Sequence, residues 1–307
     1  MKIYKNMMET IGDTPLVRLC NIEKEFSLDC ALYAKLERCN PTGSIKDRIA
    51  KSMIISALKT GVLKQGGLVI EATSGNTGIG LAAVCASLGL RLAIYMPENA
   101  SKERVQMMKA YGAEVLLTPL KEGMNGSIKA SLERKNIEPG SYIPSQFSNA
   151  SNPLAHYEGT GPEIYRDLDG DIDCFVASFG TGGTLSGTAR FLKEKNKNIH
   201  IVGLEPEGSP FASKHIAGPH KIQGIGAGFL PETLHLNYVD EILLVSDEDA
   251  YASTNLLARK EGYLCGISSG ANLWGAIQLA RSKKYHSIVT VFPDGGERYL
   301  SVKGLYE

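Results

Sequence analysis

Three short loops carry the residues that could do chemistry, and the first is Gly180-Thr-Gly-Gly-Thr184. It follows the apolar segment DCFVAS and precedes the helical pattern TLSGTARFLKEK. Glycines in such a loop let successive backbone N–H groups converge, and the helix N-terminus adds about half a positive charge. The loop lacks the lysine of the nucleotide pattern G-x-x-x-x-G-K-[ST], so it suits a phosphate monoester better than a magnesium nucleoside triphosphate. The alternative is a tight strand-to-helix turn without a ligand.

The second loop is Thr73-Ser-Gly-Asn-Thr-Gly78, which also lies between a strand pattern and a helix pattern. It offers hydroxyl groups, an amide and backbone N–H groups but no charge, which suits a carboxylate or a ring oxygen. Its glycine spacing, Gly75-x-x-Gly78-x-Gly80, matches the dinucleotide-binding fingerprint only in part. The order differs, and no acidic residue stands at a strand end about 20 residues later. A ligand-binding loop and a structural turn both remain open.

The third loop, Asn40-Pro-Thr-Gly-Ser-Ile-Lys-Asp-Arg48, contains a capping box at Ser44 and Asp47, which predicts a helix that begins at Ser44. Lys46 then lies in the first turn, where the helix dipole disfavours a cation by about 0.3–1 kcal/mol. A surface lysine tolerates this effect, so an ordinary solvated lysine is one interpretation. The other is a neutral amine that can form a Schiff base.

Together, the three loops predict a site for a dianion, a site for a monoanion and a lysine whose neutral form is favoured by the helix dipole. Pyridoxal phosphate bound together with an amino-acid carboxylate requires this set of groups. The six histidines and six cysteines are scattered without the spacing of a metal site, so the sequence predicts no metal.

The elements around these loops alternate between short apolar strand patterns and amphipathic helix patterns. The predicted strands are residues 68–71, 91–96, 114–117, 173–178, 199–204, 241–245 and 287–292. Strands that alternate with helices of about 10–15 residues are typical of parallel sheets covered on both faces. The segment 121–153 is rich in Gly, Ser, Asn and Pro, and we expect a domain crossing near its end.

The composition excludes several classes of protein. Of the 307 residues, 43% are hydrophobic and 21% are charged, close to the globular average, which excludes wholesale disorder. The 33 basic and 33 acidic residues balance, so no global basic field exists to attract nucleic acid or an anionic membrane. The sequence has no secretory leader pattern and no apolar run of membrane-spanning length, and its cysteines are expected to be reduced thiols. We therefore expect a cytoplasmic protein that acts on a small molecule.

Seven motifs resemble those of a known family. They are NPTGSIKDR, TSGNTGIGLA, FSNASNP with TGPEI, GTGGTLSG, KIQGIGAGF, GISSGAN and PDGGERYLS, in the family's order across nearly the whole chain. The chain thereby resembles the cysteine synthases (O-acetylserine sulfhydrylases) of the fold-type-II pyridoxal-phosphate enzymes, and KIQGIGAGF is similar to the A-type isozyme. This resemblance implies an α/β fold of two doubly wound domains with mostly parallel sheets and pyridoxal 5'-phosphate in the cleft between them.

The resemblance also implies a domain division and a homodimer. Residues 1–40 and 152–307 would form the larger domain, which binds the cofactor phosphate. Residues 41–151 would form the smaller domain, which binds the substrate carboxylate.

Site residues follow from the same resemblance. Lys46 would be the Schiff-base lysine and the proton shuttle, Asn76 would bond the ring hydroxyl oxygen, and Ser268 would face the pyridine nitrogen. The cofactor phosphate would be held by Gly180, Thr181, Gly182, Gly183 and Thr184. The substrate carboxylate would be bound by Thr73, Ser74, Gly75, Thr77 and Gln146. Gly224 would line the position of the substrate's departing group.

The implied reaction is β-replacement on a C3-substituted L-amino acid, in which O-acetyl-L-serine and sulfide give L-cysteine and acetate. Glu232 departs from the A-type pattern, which usually has a small uncharged residue after GIGAGFLP. One interpretation is a solvated loop carboxylate. The other is a carboxylate at the mouth of the site, which orients water or binds the ammonium group of a second amino acid. L-cysteine would then be the donor, hydrogen sulfide would leave, and serine or lanthionine would form.

A third hypothesis is an inactive relative that binds the C-terminal peptide of a partner protein in the carboxylate pocket. The intact Lys46 and the intact loop Gly180–Thr184 argue against it.

Overall fold

The computed structural model describes residues 3–306, which form two compact units. The smaller unit contains the described residues up to Ile11 together with Asn40–Asn152. The larger unit contains Gly12–Cys39 together with residues 153–306. The chain therefore crosses between the units once near each end of the 40–152 segment and once more after Ile11.

The N-terminal segment packs in the smaller unit, whereas the family resemblance implied that residues 1–40 belong to the larger domain. Met8 lies in the same apolar core as Ala50 and Ile54. The Lys51 Nζ donates a hydrogen bond to the Met8 carbonyl at 2.7 Å. A single buried methionine in a polar segment carries no periodicity, so the sequence pattern could not indicate which core receives it.

The strands and helices alternate along most of the chain. The strands are β1 (Leu16–Arg18), β2 (Ala31–Leu36), β3 (Leu68–Ala72), β4 (Arg91–Pro97), β5 (Glu114–Thr118), β6 (Cys174–Ser178), β7 (His200–Pro206), β8 (Glu241–Val245) and β9 (Ser287–Phe292). The α-helices are α1 (Cys20–Glu25), α2 (Lys46–Lys59), α3 (Asn76–Leu88), α4 (Lys102–Ala110), α5 (Gly123–Ile137), α6 (Ser151–Ala155), α7 (Gly161–Asp167), α8 (Gly183–Lys195), α9 (Phe211–Lys214), α10 (Asp247–Glu261) and α11 (Ile267–Arg281). A π-helical turn, His156–Thr160, joins α6 to α7.

The larger unit is built on a six-stranded sheet with the order β1-β2-β9-β6-β7-β8. β1 pairs antiparallel with β2, and the other pairs are parallel. β9 is buried along its whole length, as expected for a central parallel strand covered on both faces. The predicted α/β class with mostly parallel sheets is confirmed.

The smaller unit is built on the parallel sheet β3-β4-β5. Because side chains alternate between the faces of a strand, β3 directs Leu68 and Ile70 to one core and Val69 to another. Ala130 of α5 packs on the first core, and Ile79 of α3 lies in the second. Helices therefore cover both faces of this sheet.

Helix α5 lies inside the segment 121–153, whose richness in Gly, Ser, Asn and Pro gave no helix pattern. Its first turns contain Gly123, Gly126 and Ser127, which lower intrinsic helix propensity. The helix is stabilised by packing on the sheet, and the Ser127 hydroxyl lies 2.7 Å from that of Thr118 on β5. Tertiary contacts thus override a weak local pattern.

No helix between residues 3 and 306 is long and apolar enough to cross a membrane.

Candidate active site

The glycine-rich loop of the larger unit connects β6 to α8. Because α8 begins at Gly183, the backbone N–H groups of its first turn have no intrahelical acceptors and point towards the loop. Gly182 adopts φ +82°, and a Cβ there would lie 2.6 Å from the Leu234 Cβ. A Cβ at Gly180 would overlap the carbonyl oxygen of Gly224. The loop can therefore keep this path only with glycine at both positions.

A second segment, residues 224–235, supports this loop. Gly226 N–H donates to the Phe179 carbonyl at 3.1 Å, and the Thr233 hydroxyl donates to the Thr181 carbonyl at 2.5 Å. Gly224, at φ +92°, is thereby brought against the start of the loop. Glu232 directly precedes the buried Thr233, and its own side chain is exposed.

The loop offers donors that fit a phosphate. Its first helical turn supplies backbone N–H groups, and Thr181 and Thr184 supply hydroxyls. The Ser178 hydroxyl, at the end of β6, is buried and has no hydrogen-bond partner within the described part of the chain. A buried hydroxyl without a partner carries a desolvation cost that a polar ligand in the adjacent glycine cradle would offset, so Ser178 is compatible with a ligand there.

The imidazole of His156 contacts the Thr184 hydroxyl, and His156 was not among the predicted site residues. Its Nε2 lies 3.2 Å from the Thr184 Oγ1, and its Nδ1 lies 2.9 Å from the Thr160 Oγ1. His156 is 1% exposed. A Cβ at Gly187 would overlap the Pro153 carbonyl oxygen, so this glycine lets α8 approach the π-helical turn closely. The i, i+4 spacing of His156 and Thr160 is present in the sequence, but a single histidine–threonine pair is too common to identify a functional residue.

Ser268 lies in the first turn of α11 in the same unit and is 5% exposed. One turn later, Asn272 accepts a hydrogen bond from the Ser178 N–H at 2.7 Å and donates to the Val291 carbonyl at 2.6 Å. Residues four apart share a helix face. Ser268 is thus brought to the carboxyl end of β6, where the glycine-rich loop begins.

Lys46 is the first residue of α2 in the smaller unit, and it is half-buried. The predicted helix start at Ser44 is wrong by two residues. The Ser44 hydroxyl accepts from the Lys46 N–H at 3.3 Å. The Asp47 carboxylate accepts from the Thr42 N–H at 2.7 Å and from the Thr42 hydroxyl, so it closes the preceding turn instead of completing a capping box.

The uncharged loop of residues 73–77 connects β3 to α3. Asn76 is the first residue of α3, and a Cβ at Gly75 would meet no atom within 4 Å, so this part of the loop borders open space. The buried Thr77 hydroxyl donates to the Gln146 Oε1 at 2.7 Å. The Asn152 amide holds the Gln146 carbonyl, also at 2.7 Å. Gln146 therefore lies at the loop, next to the residues that were predicted with it to bind a carboxylate.

The two helices that begin at these loops touch near their N-termini. A Cβ at Gly80 of α3 would lie 3.2 Å from both the Lys46 carbonyl oxygen and the Asp47 Oδ1, and 3.3 Å from the Ala50 Cβ. Glycine at this position lets α3 approach the first turn of α2. Lys46 and the loop of residues 73–77 thus belong to one cluster in the smaller unit.

Two charged residues beside this cluster were also missed by the sequence analysis. The Arg104 Nη1 donates to the Ser74 carbonyl at 3.4 Å. The Glu71 Oε2 accepts from the Ser145 N–H at 3.0 Å, and Ser145 precedes Gln146 at φ +52°. Burial raises the pKa of the Glu71 carboxyl from 4.5 to about 7. Both residues bond backbone groups of the segments that carry the predicted carboxylate ligands.

Comparisons with known proteins show the family of this chain. Residues 7–294 match the family model described as pyridoxal-phosphate dependent enzyme. A cysteine synthase of Staphylococcus aureus is 49% identical over 302 residues, which cover 98% of this chain and 96% of the relative.

Two crystal structures are similar to this chain. The cysteine synthase of Entamoeba histolytica has a TM-score of 0.95 and 42% identity, with 98% of this chain and 90% of that chain covered. A hydrogen sulfide-producing enzyme of Fusobacterium nucleatum has a TM-score of 0.93 and 44% identity, with 98% and 99% covered. Since the family model spans nearly the whole sequence and a relative at 49% identity covers it, the chain belongs to the pyridoxal-phosphate dependent enzymes.

Proposed function

We propose that this protein is a cysteine synthase, which replaces the acetoxy group of O-acetyl-L-serine by sulfide and releases L-cysteine and acetate. The observation that carries the proposal is a pair of loops, each of which connects a strand to a helix. One is a glycine cradle with an unpaired buried hydroxyl, and the other is an uncharged loop held by Gln146 beside Lys46. The similarity to cysteine synthases over 98% of the chain supports the same reaction.

The site residues expected from the sequence would hold pyridoxal phosphate. Gly180–Thr184 would bind its phosphate, Ser268 its ring nitrogen, Asn76 its ring hydroxyl oxygen and Lys46 its aldehyde carbon. When bound, the cofactor supplies an electron-withdrawing ring that stabilises negative charge at the substrate α-carbon. The glycine cradle fits the phosphate because it has backbone N–H groups at a helix N-terminus and leaves no room for a side chain.

Lys46 would serve as the base that removes the α-proton of the substrate. Lys46 is the first residue of α2, where the positive end of the helix dipole favours the neutral amine required for proton abstraction. Ser268 is uncharged, so it would not hold a proton on the ring nitrogen as a carboxylate would. The weaker electron withdrawal that results favours loss of the β-substituent over racemisation or transamination.

The carboxylate of the substrate would bind the loop of residues 73–77 and Gln146. The Gln146 Oε1 accepts from the Thr77 hydroxyl, so the amide nitrogen of Gln146 is turned away from Thr77 and its two protons can meet a carboxylate. The hydroxyls of Thr73 and Ser74 and the backbone at Gly75 would supply the other donors.

A second candidate is a sulfide-releasing enzyme that uses L-cysteine as donor and water or a second cysteine as acceptor. Glu232 favours it, because its exposed carboxylate precedes Thr233, which bonds the glycine-rich loop. A carboxylate there would attract the ammonium group of a second amino acid and would repel the sulfide anion. The 44% identity to a hydrogen sulfide-producing enzyme supports this candidate.

We also propose a cytoplasmic homodimer, in keeping with the family resemblance. Sedimentation equilibrium of the cofactor-loaded protein is expected to give twice the chain mass, and a monomer mass would contradict the dimer.

Product analysis separates the two reactions. The purified enzyme is incubated with O-acetyl-L-serine plus sulfide and, separately, with L-cysteine alone, and cysteine, sulfide, serine and lanthionine are quantified. We expect cysteine formation to be the faster reaction. Sulfide release from cysteine at a comparable or higher rate would assign the donor to the second candidate. Glu232→Ala should then slow that release, whereas Glu207→Ala, which changes another exposed carboxylate of the larger unit, should not.

Lys46→Ala tests the mechanism directly. The variant is expected to lose turnover and the visible absorption of the lysine-bound cofactor. Lys59→Ala, at the exposed last residue of the same helix, is the matched control and should keep both. A Lys46→Ala enzyme that still turns over would remove this lysine from the reaction.

A further inference from the structure

The buried imidazole of His156 lies between two threonine hydroxyls, one at each ring nitrogen, and one of them belongs to the glycine-rich loop. Thr160 Oγ1 lies 2.9 Å from the His156 Nδ1, and Thr184 Oγ1 lies 3.2 Å from the His156 Nε2. Both distances are within hydrogen-bond range. Thr184 is the last residue of the loop that we propose to bind the cofactor phosphate. The direction of its hydroxyl proton therefore determines whether Thr184 can donate a hydrogen bond to that phosphate.

The imidazole nitrogen that carries the proton determines whether the Thr184 hydroxyl can donate to an anion. A threonine hydroxyl has one proton, and a neutral imidazole has one N–H. If Nδ1 carries the imidazole proton, Nε2 must accept the proton of Thr184, and the Thr184 oxygen then has only lone pairs to offer an anion. If Nε2 carries the proton, it donates to the Thr184 oxygen, and the Thr184 proton is free to point at the anion. Thr160 then donates to Nδ1.

We propose that His156 is a positioning residue for the cofactor phosphate, held as the Nε2–H tautomer by Thr160 so that Thr184 donates its proton to the phosphate. This inference rests on the proposed binding of pyridoxal phosphate. The imidazole is fixed by its surroundings, because His156 is buried and Gly187 lets α8 approach the turn that carries it.

The selectivity of the protein for the phosphate group measures this role. Apo-protein is titrated with pyridoxal phosphate and with pyridoxal, which lacks the phosphate, and the ratio of the two dissociation constants is compared among variants. His156→Leu removes the donor to Thr184 and should lower the preference for pyridoxal phosphate about tenfold, as expected for one hydrogen bond to a charged group. Its affinity for pyridoxal should be unchanged.

Matched variants separate positioning from folding. His156→Gln keeps an N–H donor near the Nε2 position and should restore most of the preference. Thr160→Val leaves the imidazole in place but removes the donor to Nδ1, so it should lower the preference even if His156→Leu does not fold. Thr188→Val is the control, because Thr188 is a buried threonine one turn along α8 whose hydroxyl has no partner among residues 3–306.

A spectroscopic measurement reports the tautomer itself. In protein labelled with 15N-histidine and loaded with pyridoxal phosphate, the resonance lost in His156→Gln should show the proton on Nε2. A proton on Nδ1 alone would overturn the inference. So would a His156→Leu protein that keeps the preference of the unaltered protein for pyridoxal phosphate over pyridoxal. If the unaltered protein has no such preference, the proposed cofactor site itself fails.

Discussion

The buried carboxyl of Glu71 should make the stability of this protein fall as the pH rises through neutrality. Glu71 is 6% exposed, and burial raises its pKa from 4.5 to about 7. A carboxyl whose pKa is higher in the folded state binds its proton more tightly there than in the unfolded chain. Between pH 4.5 and 7 the folded state therefore holds more protons, and stability decreases with increasing pH.

The magnitude follows from the two pKa values. A pKa difference of one corresponds to about 1.4 kcal/mol, so the full effect is on the order of 3 kcal/mol, and about 2–3 kcal/mol of it falls between pH 5 and pH 8. Glu71→Gln removes the titration but keeps an oxygen that can accept from the Ser145 N–H. Any fixed cost of the buried amide is the same at both pH values and cancels in the comparison.

The assay is urea unfolding of the apo-protein at pH 5 and pH 8, followed by circular dichroism. Relative to the unaltered protein, Glu71→Gln should be more stable by about 2–3 kcal/mol at pH 8 than at pH 5. Glu133→Gln changes an exposed carboxyl of the same unit and should track the unaltered protein at both pH values. If the Glu71→Gln and unaltered curves shift in parallel with pH, Glu71 ionises normally in the folded state, and the burial argument is refuted.

Two further predictions concern the larger unit. Gly180→Ala would push a methyl group into the Gly224 carbonyl and should abolish cofactor binding while far-ultraviolet circular dichroism stays unchanged; a variant with normal affinity would show that the loop tolerates a side chain. Lys35→Met leaves Glu163 and Asp167, now 3.1 and 3.0 Å from the Lys35 Nζ, without their buried cation. It should lower the free energy of unfolding in urea by about 3–5 kcal/mol, and a loss below about 1 kcal/mol would contradict the buried ion pairs.

Most strands could be predicted because each is a short apolar run next to a turn signal. The strands Glu241–Val245 and Ser287–Phe292 have the predicted bounds, and the other five predicted strands agree within two residues, whereas β1 and β2 were not predicted. The capped helix after Ser246 also forms as predicted, with the Ser246 hydroxyl accepting from the Asp249 N–H at 3.0 Å. Local chemistry and tertiary packing favour the same structure in these elements, which is why the sequence pattern was sufficient.

The elements that were missed depend on contacts distant in sequence. Helix α5 is stabilised by its packing on β3 and β4, and residues 3–11 are placed by the burial of Met8. At the third loop, the Asp47 carboxylate had two possible partners, and the bond to Thr42 moved the helix start to Lys46. A capping pattern specifies a partner type but not which competing partner wins.

The candidate site also contains parts that could be predicted from the sequence and parts that could not. Its loops could be predicted because glycine and hydroxyl residues clustered between a strand and a helix are typical of ligand-binding loops. His156, Arg104 and Glu71 could not, because each acts through the backbone or the hydroxyl of another residue. A supporting residue of this kind has no type or spacing that distinguishes it from an ordinary core or surface residue.

The two loops show why such supporting residues matter for the proposed chemistry. Both loops lie at helix N-termini and present neutral donors, so in the proposed site they would bind an anion by the direction of their N–H and O–H groups. A neutral donor that is turned away contributes nothing and leaves a lone pair facing the anion. In the proposed site, His156 would set the direction of the Thr184 hydroxyl, and Thr77 sets that of the Gln146 amide. If the proposed site is correct, discrimination between a phosphate and a carboxylate depends on the residues that orient these donors as well as on the loops themselves.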